Sequence, residues 1–363
     1  MKVSLFNTKV DNPEKFIKPF QKLLSSGKFI LGEHVTTFET NLSKYLNVNY
    51  VVGVNSGTDA LELALKSLGI KRGDYVLTTG FTYFATIEAI HNVGATPYLI
   101  DIDRQTLQID FSKIKKSVLE KSRFIIPVHL FGGSVDIPKL KEYSKKYNLL
   151  VVEDVAQSFG SSFKGKFLGT IGDVGAFSFY PTKTLGSIGD AGAVVTNSKS
   201  VYKNLLKLRN HGHIDRDNFK FAGKNSRLDE IQAIYLNSKL KNINVEINIR
   251  KKIAHEYYQN LKIIKNLQFF NNNLQTYNYF PIAVNSLKER NLLIKFLTHK
   301  NIDTVVYYKK PLTDLNFEWI EKEENYDNID YIKKRILCLP IHSSLKQPQI
   351  NYVIKAIKEF YET

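Results

Sequence analysis

The sequence predicts an α/β protein: a mostly parallel central sheet with helices on its faces, followed by a smaller C-terminal α/β lobe. Three observations carry this. From Tyr50 onward β-rich runs alternate with helical patterns, the rhythm of parallel strands joined by crossover helices. One run, Leu149 to Val152, is apolar at every position, as a strand covered on both faces must be. After Arg227 the alternation gives way to one long helical pattern, and a shorter α/β series then closes the chain.

In chain order, the strands expected in the large lobe are Tyr50 to Val54, Tyr75 to Thr79, Thr96 to Ile100, Phe124 to Leu130, Leu149 to Val152, Val174 to Phe179 and Ala191 to Thr196. Helices are expected from Gly57 to Leu68, from Phe84 to Val93, and from the cap-like Ser134-Val135-Asp136 to Tyr147, with a basic helical segment ending at Arg209. Leu228, Ile231, Ile234, Tyr235 and Leu240 then recur at helix spacing, ahead of the polar stretch Lys241 to Lys252. The domain boundary is placed there, giving residues 1–240 as arm and large domain and 241–363 as the small domain. In the small domain, strands are expected at Tyr279 to Val284 and Thr304 to Tyr308, and helices at Lys288 to His299 and Gln349 to Tyr361. The first thirty-odd residues show no strong pattern and read as an arm of underived position.

Composition narrows the function classes. A length of 363 residues suits two lobes, and 43% apolar with 24% charged residues is ordinary for a globular chain. No apolar run reaches the roughly 20 residues that cross a bilayer, and Met1 to Phe6 lacks the h-region of a signal peptide, so a cytoplasmic protein without membrane contact is expected. Cys338 is the only cysteine, which excludes an intrachain disulfide and a cysteine-based metal site. The net charge of +16 invites a nucleic-acid reading, but the basic residues are interleaved with acids and unclustered. No nucleic-acid partner is expected; the charge suits attraction of a small polyanion such as a nucleotide diphosphate.

Neither G-x-x-x-x-G-K-[ST] nor G-x-G-x-x-G occurs, which lowers mononucleotide kinases and dinucleotide enzymes. Three other segments carry chemistry. Val54-Asn55-Ser56-Gly57-Thr58-Asp59 runs from a strand into a helix, and such an N-terminus is either an anion site or a helix simply capped by Ser56 or Thr58. Asp154 follows the apolar strand, at the carboxyl edge where open α/β sheets bind ligands; a partner for a ring nitrogen, a metal ligand and a helix cap all stay open. Lys183 stands 29 residues further on, between the aromatic strand with Pro181 and the glycine turn Gly186 to Gly192. Held there and partly desolvated, its amine suits Schiff-base formation.

These residues resemble the DegT/DnrJ/EryC1/StrS sugar aminotransferases, on the aspartate aminotransferase fold (fold type I). The resemblance spans nearly the whole chain, from Gly27-Lys28-Phe29-Ile30-Leu31-Gly32 to Leu339-Pro340-Ile341-His342. Its markers, in order, are Ser56-Gly57-Thr58, Phe81-Thr82-Tyr83-Phe84-Ala85-Thr86, Glu153 to Gln157, Phe177 to Lys183, Arg209-Asn210-His211-Gly212 and Asn225-Ser226-Arg227-Leu228. The resemblance implies pyridoxal 5′-phosphate as cofactor, held covalently by Lys183, which also shuttles protons. By the same resemblance Asp154 pairs with the pyridine nitrogen, Tyr83 stacks on one ring face, Ala156 touches the other, and Gln157 bonds the phenolic oxygen. Phosphate is implied to lie against the backbone of Gly57 and Thr58, the Ser178 hydroxyl, and Asn225 of a second subunit, which makes a homodimer with shared sites.

For substrates the resemblance implies glutamate as donor and a nucleotide-linked keto sugar as acceptor, with Tyr180, Tyr307 and Tyr308 on the sugar side. Chains of the family acting on 4-keto sugars tend to carry histidine where Tyr180 stands and Glu-Gly-Gly near the turn; those acting on 3-keto sugars resemble this chain at both places. A dTDP-linked 3-keto-6-deoxyhexose is therefore expected, leading to a 3-amino sugar for a surface glycan such as lipopolysaccharide O-antigen. A Tyr307-Tyr308 pair in place of the family's frequent His-Tyr marks a departure at the sugar contact. Dehydratases of the same fold carry histidine at the lysine position, so Lys183 favours transamination over dehydration. His129 reads equally as a cofactor contact or a structural histidine, and His211 with His213 lacks the third ligand a metal needs. No metal is expected.

Overall fold

The computed structural model describes residues 1–10, 12–270 and 275–362. The strands are β1 (Tyr50–Val54), β2 (Tyr75–Thr79), β3 (Thr96–Ile100), β4 (Ser122–Ile126), β5 (Leu150–Asp154), the short hairpin β6 (Ser162–Phe163) and β7 (Lys166–Phe167), then β8 (Val174–Ser178) and β9 (Gly192–Thr196). Seven of them form one sheet in the order β1-β9-β8-β5-β4-β2-β3. All neighbours are parallel except β9, which runs antiparallel to β1 and β8. Successive side chains of a strand point to opposite faces. Accordingly Val51 and Val151 enter the core that holds Phe38 and Phe177, while Val52 and Val152 enter that of Leu61 and Leu205. A helix layer on each face is why both alternating sets of strand residues are buried.

The helices are α1 (Glu14–Ser26), α2 (Glu33–Leu46), α3 (Gly57–Ser67), α4 (Ala85–Asn92), α5 (Lys116–Lys121), α6 (Ile137–Tyr147) and α7 (Lys199–Leu208), then α8 (Glu230–Leu240) and α9 (Ile243–Leu261). The arm contains α1 and α2. Buried Glu230, at the start of α8, accepts from the N–H groups of Gly32 (2.8 Å), His34 (2.9 Å) and Val35 (3.0 Å), so one carboxylate satisfies donors that α2 cannot pair within itself. The expected strand Phe124 to Leu130 is shorter: β4 stops at Ile126, and His129 lies beyond it, before a 3-10 turn at Leu130–Gly132.

The helical pattern after Arg227 breaks at Lys241–Asn242, and α9 runs through the polar stretch. Its Ile243 and Ile247 sit in the large core, whereas Ile253, Ala254, Tyr257 and Leu261 sit in the small one. The small lobe adds β10 (Gln268–Phe269), β11 (Phe280–Ala283) and β12 (Ile336–Leu339) as an antiparallel sheet, with α10 (Leu287–His299), α11 (Asp327–Lys333) and α12 (Gln347–Glu362). The strand expected at Thr304 to Tyr308 does not form: Val305 makes one isolated bridge to Cys338 and the chain then turns at Tyr307. Val3 pairs with Ile302 and is buried in the small-lobe core, so the first residues belong spatially with the last third of the chain.

Candidate active site

A cleft of about 430 Å³ lies at the carboxyl ends of the parallel strands, lined among others by Gly57, Thr58, Tyr83, Asp154, Ala156, Gln157, Ser178, Tyr180, Lys183, Tyr307 and Tyr308. Of the cofactor and sugar contacts that the resemblance implies, Asn225 alone is not among its lining; it is exposed, bridged to Asn210. The adjacent Lys224 is tied by its amine to Asp59 (2.5 Å) and Glu62 (2.9 Å) of α3.

At the N-terminus of α3, Ser56 caps the helix by accepting from Asp59 N–H at 3.1 Å. The first-turn N–H groups of Gly57 and Thr58 have no partner a helix can supply, so the Ser56 cap leaves them free to take an anion. A Cβ on Gly57 would lie 2.6 Å from the Cβ of Ser178 and 3.0 Å from its Oγ. Glycine alone lets the helix end and the Ser178 hydroxyl form one cradle.

Asp154 ends β5 with its carboxylate buried. Oδ1 accepts from Ala156 N–H at 3.1 Å and Oδ2 from the Thr86 hydroxyl at 3.0 Å. Burial pushes its carboxyl above the ordinary value, against the pull of those two bonds and of the Lys183 charge. Lys183 follows Tyr180-Pro181-Thr182 in a loop held by Lys183 N–H to Tyr180 O (2.8 Å), Ser187 N–H to Phe179 O (2.8 Å) and Thr184 N–H to Asn278 Oδ1 (3.0 Å). Burial lowers its amine to about 8, with the Asp154 charge opposing. A fixed lysine with an appreciable free-amine fraction near neutrality is a competent nucleophile.

Gln157 has an assigned orientation. Its Oε1 accepts from Phe131 N–H at 3.0 Å, so its Nε2 faces Tyr308, donating to that hydroxyl at 3.0 Å and keeping a second hydrogen. Tyr308 packs edge-on against Phe81 (5.5 Å), and burial drives its phenol far above the ordinary value. Tyr307 packs against Tyr279 with ring centroids 4.6 Å apart.

His129 lines no part of the cleft. Its Nδ1 accepts from Val135 N–H at 3.2 Å, which puts the proton on Nε2, 3.0 Å from Glu153 Oε2. The other Glu153 oxygen takes the N–H groups of Ile171 (2.8 Å) and Gly172 (2.7 Å). Burial raises the Glu153 carboxyl, but the His129 hydrogen bond and the backbone donors outweigh it and hold the group low. The structural alternative for His129 is the correct one. His213 packs against Phe219 (4.6 Å), and among the described residues no three potential ligands cluster for a metal.

The sequence pattern of the DegT/DnrJ/EryC1/StrS aminotransferase family matches residues 11–358. The chain belongs to that family. It is 35% identical, over 93% of its length and 93% of the relative's, to the dTDP-3-amino-3,6-dideoxy-alpha-D-galactopyranose transaminase of Aneurinibacillus thermoaerophilus. It is also 33% identical, over 96% of its length and 94% of the relative's, to a "pleiotropic regulatory protein" of Geobacillus stearothermophilus. The structure matches that of S. venezuelae DesV, crystallised with a ketimine intermediate, at a TM-score of 0.93 and 32% identity, covering 100% of this chain and 99% of that one.

The chain is thus a pyridoxal-phosphate-dependent nucleotide-sugar aminotransferase on fold type I. Its own residues fit the cofactor: a glycine cradle for phosphate, a buried carboxylate lacking a cation within salt-bridge distance among the described residues, and one low-pKa lysine line a single cleft. Thr82, Thr86, Asp190 and Tyr279 also line it and were not assigned roles from sequence. Thr86 stood within a quoted motif, and its place in the first turn of α4, facing the strand ends as α3 does, was the available signal. Tyr279 carries no sequence signal beyond its place at the start of an expected strand.

Proposed function

We propose that the protein transfers the amino group of glutamate to a dTDP-linked 3-keto-6-deoxyhexose, giving a 3-amino sugar for a surface glycan such as lipopolysaccharide O-antigen. Bound in the cleft, pyridoxal phosphate supplies an electron sink and an amino carrier, so that donor and acceptor react in turn. Lys183 holds it and moves protons between its C4′ and the sugar carbon. Asp154 pairs with the ring nitrogen; Tyr83 and Ala156 flank the ring; the spare Gln157 N–H takes the phenolic oxygen. Gly57, Thr58, Ser178 and the partner subunit's Asn225 hold phosphate, while Tyr180, Tyr307 and Tyr308 orient the sugar.

The observation that carries this is the convergence of Lys183 and Asp154 with five tyrosines in one cleft. Among the described residues its lining includes no lysine, arginine or histidine apart from Lys183, which favours a site completed by a second copy. Exposed Phe29, Ile30 and Leu31, with Ile231 on α8, offer apolar surface for that dimer. We place the division of the lobes near residue 241 and the enzyme in the cytoplasm. The test is a panel of nucleotide-linked keto sugars with glutamate, read by product mass. Amination of a 4-keto or UDP-linked sugar instead would move the assignment to that substrate. The regulatory relative suggests a second reading, cofactor binding without turnover; absence of product across the whole panel would favour it.

A further inference from the structure

Asp154 is held by more than the strand that carries it. A carboxylate only accepts hydrogen bonds, so the Thr86 hydroxyl, 3.0 Å from Oδ2, must be the donor. That leaves the Thr86 oxygen free to accept, and the Thr82 hydroxyl lies 3.3 Å from it. Both threonines are buried, at 2% and 1% exposure, and both line the cleft. Sitting before and within the first turn of α4, they form a directed chain: Thr82 donates to Thr86, and Thr86 donates to Asp154. Such chains polarise each bond in turn.

We infer that Thr86 is a positioning residue of the cofactor site: through Oδ2 its hydroxyl fixes the plane of the Asp154 carboxylate and keeps it anionic toward the ring nitrogen, with Thr82 reinforcing it. This rests on the proposed pairing of Asp154 with that nitrogen. The physical need is plain. Burial alone favours the protonated acid, and a protonated acid cannot hold a pyridinium proton. Among the described residues no lysine, arginine or histidine lies within salt-bridge distance of Asp154, and once Lys183 is engaged with the cofactor its charge is committed elsewhere. The lasting donors to the carboxylate are Ala156 N–H and Thr86 O–H. Only the second can be removed by changing a side chain.

The experiment uses the full-length protein reconstituted with cofactor labelled with 15N in the ring. Wild type is first reduced with borohydride and the labelled lysine mapped, and its ring nitrogen shift is compared with that of an Asp154→Asn variant. If Lys183 is not labelled, or D154N leaves the shift unchanged, the underlying cofactor reading fails. With that reading intact, Thr86→Val, which keeps the shape and removes the hydroxyl, is expected to move the ring nitrogen shift toward the unprotonated value. It should weaken cofactor binding to the apoenzyme on the order of tenfold, as for a lost bond to a charged group. It should also lower kcat with little change in KM for glutamate. Thr86→Ser restores all three. Thr82→Val, which leaves the Thr86 bond in place, shifts the nitrogen signal in the same direction by less and serves if T86V does not fold. A wild-type nitrogen shift in folded T86V, or in T82V where T86V is lost, overturns the inference.

Discussion

Gly57 and Ser178 approach so closely that the missing Cβ of the first would overlap the Cβ of the second at 2.6 Å. The helix N-terminus and the hydroxyl therefore act on one small volume. Gly57→Ala is expected to push α3 and β8 apart and to weaken cofactor binding by about fivefold to 150-fold, the range of a 1–3 kcal/mol overpacking cost. Titration of apoenzyme with pyridoxal phosphate, followed by visible absorbance, measures it. An unchanged affinity would remove phosphate from this cradle.

Lys183 sets a pH dependence. Its amine is lowered to about 8, so the free base grows as pH rises toward that value and then saturates. Cofactor capture by the apoenzyme should accelerate up to a pH of about 8 and level off above it, whereas an ordinary lysine would keep gaining toward 10.5. The linked stability has a definite sign: between those two values the unfolded chain binds the proton and the folded one does not, so apoenzyme stability rises with pH across that window. Stopped-flow capture rates and denaturant midpoints at stepped pH check both halves.

Sharing of sites is testable by mixing. Lys183→Ala and Asn225→Ala proteins, each inactive, should regain about a quarter of wild-type activity when unfolded together and refolded, since half the dimers are mixed and each has one intact site of two. Full activity of a monomer at nanomolar concentration would exclude the arrangement.

Regiochemistry is expected to follow Tyr180, half exposed at the cleft and two residues past Ser178. A hydroxyl there can bond a sugar or phosphate oxygen and set the ring's rotation, and a misplacement of about 1 Å can cost on the order of a hundredfold in rate. Offered 3-keto and 4-keto forms of a thymidine-diphosphate 6-deoxyhexose at equal concentration, the enzyme should show the higher kcat/KM for the 3-keto form. Tyr180→Phe should narrow the gap. A tenfold preference for the 4-keto form would reverse the assignment.

Much of this site was legible because its residues sit at strand ends and helix starts, where sequence punctuation is strongest: Ser56-Gly57, the acid after an apolar run, the lysine before a glycine turn. The large-lobe strands were legible for the same reason. What the sequence concealed depends on contacts between distant segments. Helix α1 carries Phe16, Ile17, Phe20, Leu23 and Leu24 at helix spacing, and α2 carries Val35, Phe38, Leu42 and Leu46, so both periods were there to be read; what the sequence hid was the partner each helix packs on. The strand expected at Thr304 to Tyr308 was apolar enough, but Val305 finds only a single bridge before Tyr307 and Tyr308 turn into the cleft. The donor set on Asp154 could not be read either, because Thr86 reaches it across the fold.

The bridge between Val3 and Ile302 bears on how a ribosome delivers this protein. Translation is slow beside helix and hairpin formation, and domains tend to fold as they emerge. The seven-stranded sheet can close as soon as β9 is out, while the small lobe must wait for β12 and α12 and for a leading end that has been without its partner since synthesis began. Val3 stays without its neighbours Leu293, Leu297 and Ile302 until those residues are made. A bulky tag placed ahead of Val3 would burden this last step of assembly.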